Sequence, residues 1–141
     1  MTGMTDRTLA ASFMDSCLHN AAMTTKPTQP LHLRLMTAQG SNTANGTEAT
    51  GVNCPGYTAG GSTMGTPSFG ASASGVSASG ADVSWTASGS WTTITSVEVW
   101  DTAGTPVRIL QGALTANVTG VANGDTVKSS AGSITADFST W

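Results

Sequence analysis

The sequence predicts a mainly β fold: an antiparallel β-sandwich or small barrel preceded by one N-terminal α-helix. Apolar residues recur at every second position in several short segments. Turn-forming Gly, Asn and Pro residues separate these segments at intervals of roughly ten residues. Only one segment, near the N terminus, has the 3.6-residue period of an amphipathic helix. We therefore divide the chain into a helical segment at 1–30, docked on the domain, and an antiparallel β domain at 31–141.

Composition excludes several classes of protein. Gly, Ala, Ser and Thr make up more than half of the 141 residues, and charged residues make up only 9%. A coiled coil or helical bundle needs far more Glu, Lys and Leu. Five Lys and Arg residues stand against eight Asp and Glu, so the net charge is -3 and phosphate contacts would be few. We expect no nucleic-acid partner. Apolar runs of only a few residues also argue against a membrane partner.

The N-terminal segment carries one apolar stripe, which predicts a helix over 5–22. Leu9 and Phe13 are four residues apart, and Met14 and Leu18 fill the adjacent row. An isolated amphipathic helix of this length is marginal in water, so something must cover the stripe. We expect it to dock against the sheet of its own domain, with the outer edge touching a neighbour. These four residues are therefore candidate partner contacts.

The first strand is predicted at 31–37, where the apolar period changes from 3.6 to 2 and three leucines share one face. Residues 38–55 lack apolar periodicity and predict a long loop. Residues 57–64 predict a weak strand that a pair of glycines interrupts. The Gly/Ala/Ser-rich stretch at 65–80 fits either a linker or closely packed strands, and we favour an ordered structure.

The second half of the chain predicts a series of strands. They fall at 83–87, 91–101, 107–114 and 133–138. The second of these carries bulky residues on both faces, which predicts a central strand. Residues 102–106 predict a hairpin connection to the next strand, which we expect to contain a bulge at Gly112.

Sequence motifs for catalysis or metal binding are missing. The chain contains no Gly-x-Ser-x-Gly nucleophile motif, no His/Cys spacing typical of zinc and no Gly-Lys-Ser/Thr phosphate loop. Asp82, Asp101 and Asp125 lie at strand ends and turns, where a short carboxylate accepts backbone N–H groups. We interpret them as turn caps rather than as members of a catalytic pair with Glu98. The sequence thus predicts no enzyme, no cofactor and no metal site.

Four tryptophans provide most of the bulky apolar surface in a chain of small residues. They are Trp85, Trp91, Trp100 and Trp141. Such residues act as core or subunit-contact anchors, which we favour, or as a stacking platform for sugar rings. We include Trp91, Trp100 and Trp141 among the candidate partner contacts.

Several short segments occur in a recognisable order along the chain. They are Thr5-Asp6 at the predicted helix start, LHLRLMT at 31–37, Gly56-Tyr57, ADVSW at 81–85, WTTITSVEVWD at 91–101, GALT at 112–115, NGDTV at 123–127 and AGSIT at 131–135. This order resembles a family of small virion proteins of long-tailed bacteriophages, labelled tail-fibre-like, minor tail or head decoration proteins. The resemblance implies a virion structural role and no catalytic residues.

The resemblance leaves two functional hypotheses. The first is a head decoration, or cement, protein that binds and stabilises the major capsid lattice. The alternative is a minor tail or tail-fibre-like protein that binds a host cell-surface glycan through the 38–55 loop and exposed tryptophans. The expected partners are the major capsid protein or other virion subunits, together with further copies in a homo-oligomer.

We expect the protein on the capsid or tail surface of the virion after assembly in the host cytoplasm. No signal peptide is readable in the first residues. Thiols stay reduced in the cytoplasm, so we favour free or buried thiols at Cys17 and Cys54 over a disulfide within or between chains.

Overall fold

A computed structural model describes residues 14–22 and 26–137. Its regular structure is mainly β, and every strand pairing is antiparallel, as predicted. The strands are β1 (His32–Ala38), β2 (Thr47–Glu48), β3 (Ser62–Thr63), β4 (Val76–Ala78), β5 (Val83–Thr86), β6 (Ile94–Trp100), β7 (Arg108–Val118), β8 (Thr126–Ser129) and β9 (Thr135–Asp137). None of the sheets formed by these residues closes into a barrel, so the small-barrel alternative is wrong.

Five strands form the main sheet, in the order β2-β1-β6-β7, with β3 also paired to β1. The strand β6 lies between β1 and β7, which confirms the central position predicted from its two bulky faces. Leu33 pairs with Val99 across β1 and β6, and Val99 pairs with Leu110 across β6 and β7. Paired residues share a face of a sheet, and these three are buried on the core side.

The hydrophobic core joins this face of the main sheet to the two-stranded ladder of β5 and β8. Val83 and Trp85, at alternate positions of β5, are buried in the same cluster as Leu33 and Val99, whereas the residues after each of them are exposed. Each fully buried side chain of this size contributes roughly 1.5–3 kcal/mol. The strands β4 and β9 form another two-stranded ladder. Ile134, which directly precedes β9, is also buried in the core.

The opposite face of the main sheet is buried too, although it carries polar residues. Ser96, Glu98 and Trp100 alternate along β6 on this side, and each is less than a tenth exposed. The loop at 39–46 makes hydrogen bonds to this face, so the sheet is covered on both sides.

The predicted N-terminal helix over 5–22 is not supported. Residues 5–13 lie outside the described residues, and only 14–18 of the remainder are helical. Asn20 has a φ of 52°, the left-handed conformation that often follows a helix C terminus. The 3.6-residue apolar pattern of the sequence therefore continues beyond the residue at which the observed helix ends. Docking of this segment on the domain stays a prediction.

Two expectations about the middle of the chain need correction. The strand predicted over 57–64 is reduced to β3, because Gly60 and Gly61 have φ values of 97° and 76°, which a strand does not allow. The loop predicted at 38–55 contains β2, which pairs with the end of β1. The Gly/Ala/Ser-rich stretch at 65–80 is ordered, as we expected, and contains β4.

The hairpin connection between β6 and β7 is confirmed, but the predicted bulge at Gly112 is wrong. Gly112 pairs regularly with Val97. The register of the β6–β7 pairing shifts elsewhere, between Ile94 and Ser96 and between Val99 and Trp100. The strand also continues four residues beyond the predicted end at 114.

The three predicted turn caps are confirmed. Asp101 accepts the Val107 backbone N–H at 2.7 Å, and Asp125 accepts that of Ala122 at 2.8 Å. Asp82 accepts the N–H of Ala131 at 2.8 Å. A hydrogen bond from the Lys128 ammonium and this backbone bond together lower the pKa of Asp82.

Candidate functional site

The 39–46 loop lies on the polar face of the main sheet, where two buried charged side chains bind it. The Arg108 guanidinium, at the start of β7, donates to the backbone carbonyl oxygens of Ser41 and Ala44. The Glu98 carboxylate, in β6, accepts the backbone N–H of Gly46 at 2.8 Å. The middle and the C-terminal end of the loop are therefore attached to buried side chains of the main sheet.

Glu98 and Arg108 form an ion pair with 3.0 Å between Oε1 and Nη1. Their side chains are 1% and 4% exposed, so the pair is almost completely removed from water. Desolvation of such a pair costs several kcal/mol per ion, and mutual attraction and additional hydrogen bonds must offset that cost. Here the additional bonds go to the loop, so the pair specifies the position of the loop as well as contributing to stability.

Two glycines allow the loop to approach this pair. A Cβ atom added at Gly40 would lie 2.7 Å from Nη1 of Arg108 and 2.6 Å from the carbonyl oxygen of Ala44. One added at Gly46 would lie 2.5 Å from the carbonyl oxygen of Ala38. Real Cβ atoms do not make contacts this short, so a larger residue at either position would push the loop off the sheet.

A second ion pair joins the first through an aromatic ring. The Arg34 guanidinium lies over the Trp100 ring, 4.2 Å from its centroid, and donates to Glu48 at 3.2 Å. The Trp100 indole N–H donates to Glu98 at 2.9 Å. A cation over an aromatic face is attracted by the ring quadrupole. The two pairs therefore form one network, which we call the charge network: Arg34, Glu48, Glu98, Trp100 and Arg108.

Tyr57 closes a gap at the outer edge of β1. The short strands β2 and β3 pair with opposite ends of β1, and no other strand of the described residues pairs with its middle on that side. There the Leu35 backbone N–H donates to the Tyr57 hydroxyl at 3.3 Å, and the hydroxyl donates to Glu48 at 2.7 Å. Burial, and next the bond to Glu48, strongly raise the pKa of Tyr57, since both disfavour the phenolate.

The outer surface of the 39–46 loop is polar and uncharged. Residues 41–45 read Ser-Asn-Thr-Ala-Asn, and all five are exposed. Amide and hydroxyl groups both donate and accept hydrogen bonds, which suits neutral polar ligands. The charged residues that hold the loop point into the protein and leave this surface neutral.

The structure places the predicted contact residues in three different environments. Met14 and Leu18 are exposed, at 48% and 69%. Trp91 and Trp100 are buried, and their indole N–H groups bond within the domain, to Pro55 and Glu98. Among the predicted contact residues that the structure describes, only Trp100 belongs to the charge network. Leu9, Phe13 and Trp141 lie outside the described residues.

Sequence reasoning missed Arg34, Glu48 and Arg108 as members of one network. The sequence did carry a signal for Arg34 and Glu98. Each is a charged residue on one face of a strand whose opposite face is apolar. Their direct pairing across β1 and β6 places the opposite charges side by side. That register could not be read from either strand alone.

The part of the chain that the structure describes holds no group of three or more His, Cys, Asp or Glu side chains arranged to bind a metal ion. Within the same residues, no helix has the length and apolar character needed to cross a membrane. Cys17 and Cys54 are free, the first exposed and the second buried, and burial raises the pKa of the Cys54 thiol.

Comparison with known families identifies the kind of protein. Residues 4–137 match the family described as podophage GP4 fiber I protein gp80. The chain belongs to this family. Membership confirms the prediction of a phage virion structural protein, while the attribution to long-tailed phages is not confirmed. No curated protein sequence matches the chain.

The gp80 family description also bears on the two functional hypotheses. It names a fiber protein, which favours the tail-fibre-like alternative over head decoration. Nothing in it supports a capsid cement role. In this gp80-family protein, the candidate site is the 39–46 loop together with the charge network that holds it.

Proposed function

We propose that this protein is a non-enzymatic subunit of a phage fibre, and that its 39–46 loop binds a neutral glycan on the host cell surface. Membership of a fiber protein family over 4–137 is the observation that carries the first part. The attachment of the loop to buried side chains supports the second part. Its partners in the virion are other fibre or tail subunits.

A loop that is already ordered loses little conformational entropy when it binds a ligand. Arg108 and Glu98 provide that order, with bonds to Ser41, Ala44 and Gly46. The loop then presents the exposed amide and hydroxyl groups of Asn42, Thr43 and Asn45 on a backbone held in place by these bonds. The absence of charge on residues 41–45 matches sugar hydroxyl groups rather than phosphate or sulfate.

The expectation that tryptophans form the sugar platform is not part of this proposal. Trp91 and Trp100 are only 7% and 8% exposed, so little ring surface is available for stacking. Hydrogen bonding from the loop takes over that role.

Location in the virion tests the fibre assignment. Antibody labelling of purified particles, viewed by electron microscopy, is expected to mark a tail appendage at a few positions per particle. Labelling spread over the capsid, with hundreds of copies, would contradict the assignment and restore the decoration hypothesis.

Binding of purified protein to host cells and to a glycan array tests the loop. The double variant Asn42→Ala, Asn45→Ala is expected to lose most binding, with an unchanged melting temperature. Asn117→Ala, which removes an exposed amide from β7, is the matched control and should bind normally. Equal binding by all three proteins would exclude the loop as the receptor site while leaving the fibre assignment intact.

A further inference from the structure

The sequence contains two Asn-Gly dipeptides, Asn45-Gly46 in the 39–46 loop and Asn123-Gly124 in the turn before β8. Both asparagines are exposed. In such a dipeptide the backbone nitrogen of the glycine can attack the side-chain amide of the asparagine, because glycine has no Cβ to hinder the approach. Each dipeptide therefore has the chemistry for a spontaneous modification, but the two lie in different surroundings.

The buried ion pair binds the main chain on both sides of Asn45. The carbonyl oxygen of Ala44 accepts a hydrogen bond from Nη1 of Arg108 at 2.8 Å, and the N–H of Gly46 donates to Oε1 of Glu98 at 2.8 Å. These groups belong to the two planar peptide units that flank Asn45, so the rotation of its backbone is restricted on both sides. The nitrogen that would attack the side chain is itself the donor in the second bond.

The bond from Gly46 to Glu98 opposes the attack in two ways. The nitrogen must lose its proton, and it must move toward the side chain of the preceding residue. A carboxylate stabilises the N–H that donates to it, and loss of the proton would place a second negative charge beside Glu98. Local opening of the loop is therefore the step that permits the reaction.

Packing of the loop against the sheet requires a glycine at position 46. A Cβ atom there would lie 2.5 Å from the carbonyl oxygen of Ala38 and 3.0 Å from the backbone nitrogen of Gly40. A larger residue would protect Asn45 from attack, but it would not fit. The contact that holds the loop on the sheet thus also retains the reactive dipeptide.

We propose that Asn45 is a deamidation site that the Glu98–Arg108 pair controls. When the loop leaves the sheet, the Gly46 nitrogen loses its proton and forms a bond to Cγ of Asn45. The bond between Cγ and the side-chain nitrogen breaks, and ammonia leaves with that proton. The product is a cyclic succinimide. Water from the solvent then opens the ring at either carbonyl carbon, which leaves aspartate or isoaspartate at position 45.

The modification changes both the position and the charge of the loop. Isoaspartate adds a main-chain carbon between Ala44 and Gly46, so the two flanking peptide groups no longer match the spacing of Arg108 and Glu98. The loop then cannot return to its original position. Either product also introduces a negative charge, whereas residues 41–45 carry none in the unmodified chain.

Peptide mass mapping of the full chain measures the reaction, because conversion of an amide to an acid raises the mass of the peptide. Asn123 is the internal reference, since the N–H of Gly124 donates to the carbonyl oxygen of Ala87 rather than to the ion pair. In guanidinium chloride both dipeptides should react at similar rates. In the folded wild type at the same pH, Asn45 should react at least about tenfold more slowly than in the denaturant, as expected for an opening that breaks a hydrogen bond to a charged group. Equal rates for Asn45 in the two states would overturn the proposal.

Gly40→Ala tests the attachment of the loop without changing either charge of the pair. Its Cβ would lie 2.6 Å from the carbonyl oxygen of Ala44, so the loop is displaced. We expect Asn45 to react at least about tenfold faster than in the wild type, with the rate at Asn123 nearly unchanged. Gly104→Ala is the control, because its Cβ would meet nothing within 4 Å, and both rates should stay at their wild-type values.

Removal of the pair tests Glu98 and Arg108 directly. The double variant Glu98→Leu, Arg108→Met lacks both bonds to the loop and should show the same selective increase at Asn45. An equal increase at both asparagines would indicate general unfolding of this variant, and the result for Gly40→Ala then decides. A ratio of the two rates that stays at its wild-type value in Gly40→Ala would overturn the proposal.

A consequence for ligand binding rests on the proposed function of the loop. Asn45→Asp introduces the charge of one reaction product, and we expect it to bind host cells more weakly than the wild type. Unchanged binding would overturn this consequence and contradict a role of Asn45 in glycan recognition. The deamidation rates involve no glycan, so the failure of one proposal is distinguishable from the failure of the other.

Discussion

Oε1 of Glu98 accepts both the Arg108 guanidinium, at 3.0 Å, and the backbone N–H of Gly46, at 2.8 Å. One carboxylate oxygen thus links β6, β7 and a loop that lies 52 residues earlier in the sequence. Both glutamates of this weakly charged chain belong to the charge network. The position of the 39–46 loop therefore depends on a few buried side chains, and the consequences can be measured.

Glu98→Gln should destabilise the protein by about 3–5 kcal/mol, because it leaves the buried Arg108 guanidinium without its counter-charge. Urea denaturation followed by tryptophan fluorescence measures the change. Asp82→Asn breaks an ion pair of similar length, 2.6 Å to Lys128, but both side chains are about half exposed. This control should change stability little. Equal effects of the two substitutions would show that the Glu98 pair is not buried in solution.

Replacement of both charges by apolar residues should separate stability from loop order. The double variant Glu98→Leu, Arg108→Met should recover much of the stability that either single substitution loses. The bonds to Ser41, Ala44 and Gly46 are then gone, so the Gly46 amide should exchange with solvent much faster than in the wild type. Hydrogen exchange by NMR measures this rate. Unchanged protection of Gly46 would mean that the loop does not need the pair.

Tyr57 should resist ionisation in the folded protein. It is the only tyrosine in the sequence, so the phenolate absorbance band reports this residue alone. Burial and the bond to Glu48 raise its pKa, so we expect no phenolate signal in the folded state at pH values where a free tyrosine, with a pKa of about 10, is ionised. Titration in denaturant provides the reference. A folded-state midpoint near 10 would contradict the buried hydroxyl.

The same shift has a consequence for stability. A group whose pKa is higher in the folded than in the unfolded state stabilises the fold below the unfolded value and loses that contribution as pH rises. The free energy of unfolding should therefore decrease above about pH 10. Tyr57→Phe should be less stable than the wild type at neutral pH. Its free energy of unfolding should not show this decrease at high pH, because phenylalanine does not ionise. Parallel pH profiles for the two proteins would exclude Tyr57 as its source.

Gly61→Ala should destabilise the protein by at least about 2 kcal/mol. Gly61 has a φ of 76°, and a Cβ atom there would collide with the carbonyl oxygen of Leu33 in β1. Gly104→Ala is the control, because a Cβ at that position would meet nothing within 4 Å. Thermal unfolding compares the two variants. A melting temperature unchanged by Gly61→Ala would mean that this turn does not approach β1.

Strands were predictable where their signal is local. The alternation of Leu31, Leu33 and Leu35 predicts a strand without knowledge of its neighbours, and all three are buried. Bulky groups on both faces of β6 likewise predict its central position. The turn caps at Asp101 and Asp125 follow from the same short-range chemistry, whereas Asp82 accepts the N–H of Ala131, 49 residues away. The small-barrel alternative and the bulge at Gly112 were wrong because sheet closure and register depend on distant strands.

By itself the sequence determined a mainly β chain, small and weakly charged, with antiparallel hairpins and capped turns, because these features depend on residues close together along the chain. Only the tertiary structure decided that the helix ends before Asn20, that Tyr57 fills the gap beside β1 and that Arg34 lies over Trp100. It also decided that Glu98 is a buried partner of Arg108. A carboxylate in a strand has the same local pattern whether water or a guanidinium faces it, and only the register of the neighbouring strands distinguishes the two.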